Sequence, residues 1–336
     1  MTSLPRPSLC LNIPKTGSSF TGRFFDAADW LELGRRCGRS RLAVPHRAGI
    51  EIVRRIKRHG PAWGSLGCRS WHRHAGYSSL PPALRRHPRL CVLRDVRSWY
   101  GSYCVYYTSA MPDTLLSRAI RMLAGGEDRA VPGRRHREIL SRHRAEFLAR
   151  LRNEDACADS LEGLSAEFTV WFTRSVRLES LMNGWVGLDR LPDWRMGLLT
   201  FRAIAILFDD PARVFRMRGE DAADYFASGR YLADLRCDLF LDFDRLTDQL
   251  SRVMVGEFGY TPEIVAFLKE NFGRLNVSSE RRRAGVMREL DTGGWFAETV
   301  EDEAVYRNYL APLAGSCGGV AGAGGAERRR GGRGAA

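Results

Sequence analysis

Pro14-Lys15-Thr16-Gly17-Ser18-Ser19-Phe20 places a mobile cation, a glycine and several hydroxyls within seven residues. An apolar run over 9–13 leads into it, and Phe20, Phe24 and Leu31 recur behind it at helical spacing. A strand that enters a glycine-containing turn and then a helix builds an anion site. Amide groups at the helix start point outward, and the helix dipole favours negative charge there. Gly17 allows a tight turn with no Cβ in the way, and Ser18 or Ser19 supplies the helix cap. Of 52 basic side chains only Lys15, Lys57 and Lys269 are lysine. A compact ammonium at Lys15 thus stands where this chain otherwise uses the planar fork of arginine. The lysine precedes the glycine, whereas the loop of ATP- and GTP-hydrolysing proteins ends in Gly-Lys-Ser/Thr. That order weighs against a nucleotide-hydrolysing enzyme.

A second polar turn follows a second apolar run, Leu93-Arg94-Asp95-Val96-Arg97-Ser98-Trp99-Tyr100-Gly101-Ser102. Together the two segments resemble the PAPS-dependent sulfotransferase family (PAPS is 3′-phosphoadenosine-5′-phosphosulfate), in particular its bacterial and viral members. The first segment resembles that family's 5′-phosphosulfate loop, which implies donor binding by Lys15, Thr16, Gly17, Ser18, Ser19 and Phe20. The second resembles its 3′-phosphate segment, in which an Arg at the strand end and a Ser eight residues later grip the 3′-phosphate. Arg94 and Ser102 have that spacing. It is physically sensible, because a strand tip and the following helix can meet one anion at the carboxyl edge of a sheet. Trp71-His72-Arg73-His74-Ala75-Gly76-Tyr77-Ser78-Ser79-Leu80-Pro81 resembles the His-containing stretch before the second strand, and Leu241-Asp242-Phe243-Asp244-Arg245-Leu246 a strand with its acidic turn. Asn276-Val277-Ser278-Ser279 resembles a late loop, and Arg281-Arg282-Arg283-Ala284-Gly285 stands where a Gly-rich cofactor loop is expected, with Arg281 and Arg282 as its donor contacts. Val96 departs from the family's usual proline. The likeness covers roughly residues 1–107 and, in patches, 190–310.

The resemblance implies transfer of a sulfuryl group from PAPS to a hydroxyl or amine of a small-molecule, lipid or carbohydrate acceptor. Negative charge grows on the leaving phosphate, so a fixed cation there lowers the barrier. Lys15 takes that role, and no metal is required by the arrangement. His74 is the expected base, with His72 the alternative, since an imidazole titrates near neutral pH. Two other readings compete: a P-loop kinase or related phosphotransferase, and a basic nucleic-acid-binding module. The net charge of +13 speaks for the latter, but no helix-turn-helix, RRM or zinc-finger pattern is present. Nucleic acid is therefore not expected as a partner.

The elements that must position these residues alternate between strand and helix. Strands are expected over 9–13, 90–93 and 239–243, with helices after each, over 98–107 and to about 258 in the latter two cases. A further helix is expected over 41–60. This predicts an α/β fold, three-layer α/β/α with a central mostly parallel sheet, P-loop-like. The domain is expected over 1–314, with a helical insertion at roughly 110–190. Within it Ile139, Leu140, Phe147 and Leu151 form an apolar stripe among arginines, and Trp171, Phe172 and Trp194 are either core or acceptor-binding. A Gly/Ala/Arg tail over 315–336 has a disordered composition. Eight cysteines form no CxxC pair, and Cys10 and Cys91 fall in buried strands as packed thiols. The strongest apolar run, 196–208, carries Arg202 and is too short for a bilayer. With no leader-like segment, the chain is expected to be soluble and cytoplasmic.

Overall fold

Arg89–Leu93 reads Arg-Leu-Cys-Val-Leu, a short run whose last four side chains are all buried. A strand apolar on both faces is stable only between neighbours with cover on each side. The structure, a computed structural model that describes residues 5, 6, 8–36, 76–109, 134–154, 163–185, 191–272 and 280–315, puts it there. Three strands, β1 (Leu9–Cys10), β2 (Arg89–Leu93) and β3 (Leu239–Asp242), form a parallel sheet in the order β1-β2-β3. Leu9 pairs with Arg89, and Leu90 to Leu93 pair with Leu239 to Asp242 in step. The outer strands are shorter than expected. Beyond Cys10 the contact continues through Leu11 N, which donates to Leu90 O at 2.8 Å, and beyond Asp242 through Phe243 N, which donates to Leu93 O at 2.9 Å. Each chain then leaves the sheet to make its turn.

Alternation along the strands divides the interior in two. Cys10, Leu90, Val92, Leu239 and Leu241 share one core with Phe24, Leu31, Leu250, Met254, Leu268 and Phe272. Leu9, Leu11, Cys91, Leu93 and Phe240 join the other, with Trp99, Tyr103, Leu198, Phe201 and Ile204. The first core is built by α1 (Ser18–Arg36) and by later helices introduced below; the second is entered by α2 (Val96–Ser109). The protein is thus α/β, mainly helical around a small parallel sheet. Cys10, Cys91, Cys104 and Cys237 are buried free thiols.

After α2 the described chain resumes with α3 (Arg134–Arg142) and α4 (Arg144–Arg152), then α5 (Ala166–Phe172), a π-turn (Thr173–Arg177) and α6 (Leu178–Trp185). Ile139, Leu140, Phe147, Phe168, Phe172 and Val176 make a small core of their own here, with Leu151 partly buried against it. The described residues between 134 and 185 are mostly helical. Phe172 is core, and Trp171 packs on Phe147 while its Nε1 donates to Glu146 at 2.9 Å. Trp194 packs against Phe226. Of these three aromatics Phe172 is buried, and Trp171 and Trp194 are partly buried against the core.

The apolar run becomes α7 (Leu198–Leu207), every residue of it buried. Its N-terminus is capped from a distance. Glu303 accepts from Leu199 N at 2.9 Å, from Thr200 N and Oγ1 at 2.7 Å each, and from the Tyr100 hydroxyl. A buried carboxylate there satisfies orphan amides and meets the positive helix end. The chain continues through α8 (Gly219–Ala227), β3, α9 (Leu246–Gly256), α10 (Pro262–Phe272), α11 (Glu280–Thr292) and α12 (Trp295–Asp302), ending in a second π-turn, Tyr306–Leu310. Among the described residues no helix is long and apolar enough to cross a membrane. The helix expected over 41–60, residues 110–133, the loop at Asn276 to Ser279 and the tail from 316 onward lie outside the described residues.

Candidate functional site

Both polar turns leave the carboxyl ends of adjacent parallel strands, β1 and β2, and the structure brings them into contact. The Arg94 guanidinium donates through Nη1 to the Lys15 carbonyl at 2.9 Å and through Nε to Ser98 Oγ at 2.8 Å. One planar fork thus ties the first turn to the start of α2. Its flat face lies 4.0 Å from the centroid of Phe243, at the end of β3. Three strand ends converge on a single side chain that is 7% exposed. Trp99, fully buried in α2, adds a second tie: its indole N–H donates to Pro14 O at 2.6 Å.

The loop itself is held in an unusual backbone. Lys15 has φ 67° and Gly17 φ 92°. The left-handed region is costly for a residue with a Cβ, so Lys15 is held there by the contacts around it. Gly17 is required twice over. Its φ is positive, and a Cβ would stand 2.8 Å from Leu246 Cδ2 and 3.3 Å from Phe243 Cδ2. Thr16 is 1% exposed, and its hydroxyl donates to Ile13 O at 2.8 Å, so that side chain braces the turn. Phe20 packs edge-on against Phe272 with centroids 5.5 Å apart. Of these two, the side chains serve the loop's shape. Helix α1 starts at Ser18, where the first-turn amides have no intrahelical acceptor; the side chains of Ser18 and Ser19 are outside those described.

Lys15 Nζ lies 3.0 Å from the centroid of the Tyr106 ring, a cation–π contact with α2. Among the described residues no carboxylate pairs with it. Burial, and then the positive charge of Arg94, pull its pKa from 10.5 down to about 7. Arg94 is lowered to about 10, chiefly by burial and against the pull of Asp95 and Asp244, with Arg283 of α11 adding repulsion. Three cations therefore bear on one region, with acid, among the described residues, on the Arg94 side only. Such a field favours an anion.

Several of these residues are not evident from spacing. Arg94 Nε donates to Ser98 Oγ, a contact that spacing does not reveal, and Ser102 sits one helical turn further along α2, half-buried. Asp95 caps α2 by accepting from Ser98 N at 2.8 Å and also from the Ser98 hydroxyl. The Tyr306 hydroxyl, in the second π-turn, accepts from Arg94 N at 3.1 Å and donates to Arg94 O at 2.9 Å, so it fixes the backbone of the turn. Arg283 is the member of the 281–285 run with a described side chain near Arg94; those of Arg281 and Arg282 are not described, although the backbone of both is in α11. Helix α11 is held on α2 by a two-bond ion pair, Arg97 to Asp291 at 2.8 and 2.6 Å, and by close approach of Met287 over Gly101. His74 and His72 lie outside the described residues. The described chain takes up at Gly76, where a Cβ would meet Ala205 O of α7 at 2.1 Å.

No protein-family model, curated protein or solved structure matches the chain.

Proposed function

We propose that the chain is a sulfotransferase of three-layer, P-loop-like architecture that moves a sulfuryl group from PAPS to a hydroxyl or amine of a small-molecule, lipid or carbohydrate acceptor. The observation that carries this reading is the hydrogen bond from Arg94 to the Lys15 carbonyl. It joins the two segments whose residue types suit the two ends of one bis-anionic nucleotide. When bound, PAPS supplies a sulfuryl group whose bond to the 5′-phosphate breaks as the bond to the acceptor forms.

The residues fit such a ligand. Lys15 is a cation without a carboxylate partner among the described residues, beside the amides that open α1. Its positive φ, with that of Gly17, gives the kind of turn that gathers backbone N–H groups on one side. Lys15 holds the 5′-side phosphate and, by staying charged, offsets the negative charge that grows there. Arg94, with Ser98 or Ser102 and Arg283, holds the 3′-phosphate. His74 takes the acceptor proton. Arg281 and Arg282 extend the grip on the nucleotide.

The reading is tested by incubating the full chain with radiolabelled PAPS and a broad panel of hydroxyl and amine acceptors. Label transferred to any acceptor, lost in Lys15→Ala and sharply reduced in His74→Ala, supports it. Transfer from ATP with Mg²⁺, and none from PAPS, would assign a phosphotransferase instead.

A further inference from the structure

Lys15 is placed to act as a nucleophile as well as a cation. An amine attacks an electrophile only as the free base, so a lysine whose proton is held by a carboxylate is unreactive. Among the described residues Lys15 has no such partner; the charge that bears on it is that of Arg94, and burial and like charge both favour the neutral amine. About half of the Lys15 side chains are therefore free base at pH 7, against about one in 2,500 for an ordinary lysine. Lys269 is the contrast within the same chain. Its side chain is exposed, and its Nζ is paired with Asp248 Oδ1 at 2.7 Å.

The geometry holds this amine in place and leaves it open. Nζ stands 3.0 Å from the centroid of Tyr106. A ring face receives the N–H side of an amine, which leaves the lone pair of the free base directed away from the ring. Lys15 and Tyr106 are both partly exposed, whereas Thr16 and Arg94 beside them are buried. The turn therefore has its open side at the lysine. Arg283 repels Arg94, and Arg94 repels Lys15, so the three cations set up a field that draws anions to that side. An acyl phosphate is an anion that carries an activated carbonyl, and it meets both conditions.

We propose that Lys15 is a modification site that acylates itself from acyl phosphates, and that its acylation removes the charge the turn offers to an anion. The Nζ lone pair forms a bond to the acyl carbon, and the bond from that carbon to the phosphate oxygen breaks. The phosphate leaves with the electron pair, and the amine proton passes to solvent. The product is a neutral amide. An anion already in the site protects it, by occupying the place and by keeping Lys15 protonated. The proposal rests on the turn as an anion site, which it shares with the sulfotransferase reading, and not on sulfuryl transfer.

The test is incubation of the full chain with acetyl phosphate at pH 7, with acetylation of Lys15 and Lys269 followed in time by peptide mass spectrometry. Lys15 is expected to react at least about tenfold faster, its larger free-base fraction being partly offset because a less basic nucleophile is a weaker one. Inorganic phosphate should slow Lys15 several-fold, and chloride at equal ionic strength should not. In guanidinium chloride the advantage of Lys15 should vanish. A Lys15 rate no higher than that of Lys269 overturns the proposal, as does an advantage that survives unfolding or one that phosphate leaves unchanged. Acetylated chain should bind 3′-phosphoadenosine-5′-phosphate (PAP) at least about tenfold more weakly than unmodified chain, since a charged contact is lost; equal binding would overturn the loss of anion affinity. Absent PAP binding by the unmodified chain, with the Lys15 rate and the phosphate protection intact, would remove the sulfotransferase reading and leave the modification site.

Discussion

The Arg94 guanidinium hydrogen-bonds the Lys15 carbonyl at 2.9 Å, while the Lys15 ammonium rests 3.0 Å from the Tyr106 ring centroid. The two cations therefore have different work. Arg94 is a scaffold as well as a charge, with Ser98 and Lys15 O on its donors and Phe243 on its face. Lys15 has a strained backbone, an aromatic platform and no carboxylate among the described residues, which is the condition of a group kept for a ligand.

Lys15→Gly is expected to separate stability from function. Glycine accepts φ 67° without strain. Relief of a left-handed residue is worth about 1–2 kcal/mol, against a loss of about 0.5–1 kcal/mol to chain entropy. Thermal denaturation should show a melting temperature equal to wild type or higher, with sulfuryl transfer abolished. A lower melting temperature with activity retained would make Lys15 a structural residue.

Donor affinity should depend on pH through the same side chain. Its pKa of about 7 lies below the ordinary 10.5, so in the free protein the ammonium is lost as pH rises past 7. Anion affinity is greatest below that point. The dissociation constant of PAP should rise above pH 7 by up to tenfold per unit, with proton uptake on binding seen as a buffer-dependent heat. Lys15→Arg should flatten the profile. The stability of the unliganded protein should run the other way. Between pH 7 and 10.5 the unfolded chain holds a proton that the native state has released, so stability rises with pH across that window.

Arg94→Lys should behave as a loss, because an ammonium cannot reproduce a fork that serves Ser98 and Lys15 O together. The cost should be about 2–3 kcal/mol in denaturant unfolding, since hydrogen bonds to a charged group are lost from a buried site. PAP binding should weaken by more than tenfold. Wild-type binding in Arg94→Lys would show that charge alone matters there.

The strands and the first turn were legible because their signals are local. Four buried apolar residues between Arg89 and Arg94 require a central strand, and Gly17 between a cation and two serines requires a turn. The clamps on that turn were not. Tyr306 reaches Arg94 across 212 positions, and Trp99 reaches Pro14 across 85; no period links residues so far apart. The aromatic spacing of α2 was visible, yet nothing local distinguishes Trp99 and Tyr103, which face the core, from Tyr106, which faces Lys15. Ser102 has the spacing expected of a phosphate contact; that Arg94 reaches Ser98, one turn nearer the strand, is not evident from that spacing.

Gly17→Ala tests the loop's packing. It meets both a positive φ and a Leu246 methyl at 2.8 Å, so a loss of about 2–3 kcal/mol is expected. Leu246→Ala should recover part of it in the double variant, giving a coupling that a double-mutant cycle in urea would measure. Additive losses would mean that φ alone is responsible.

The central claim, that the turns at Lys15 and Arg94 clasp one nucleotide, is tested most directly by thermal shift with PAP against ATP and Mg²⁺. Strong stabilisation by PAP, weak stabilisation by ATP, and loss of the PAP shift in both Lys15→Ala and Arg94→Lys are predicted. Stabilisation by ATP exceeding that by PAP, or a PAP shift unchanged in both variants, would contradict it.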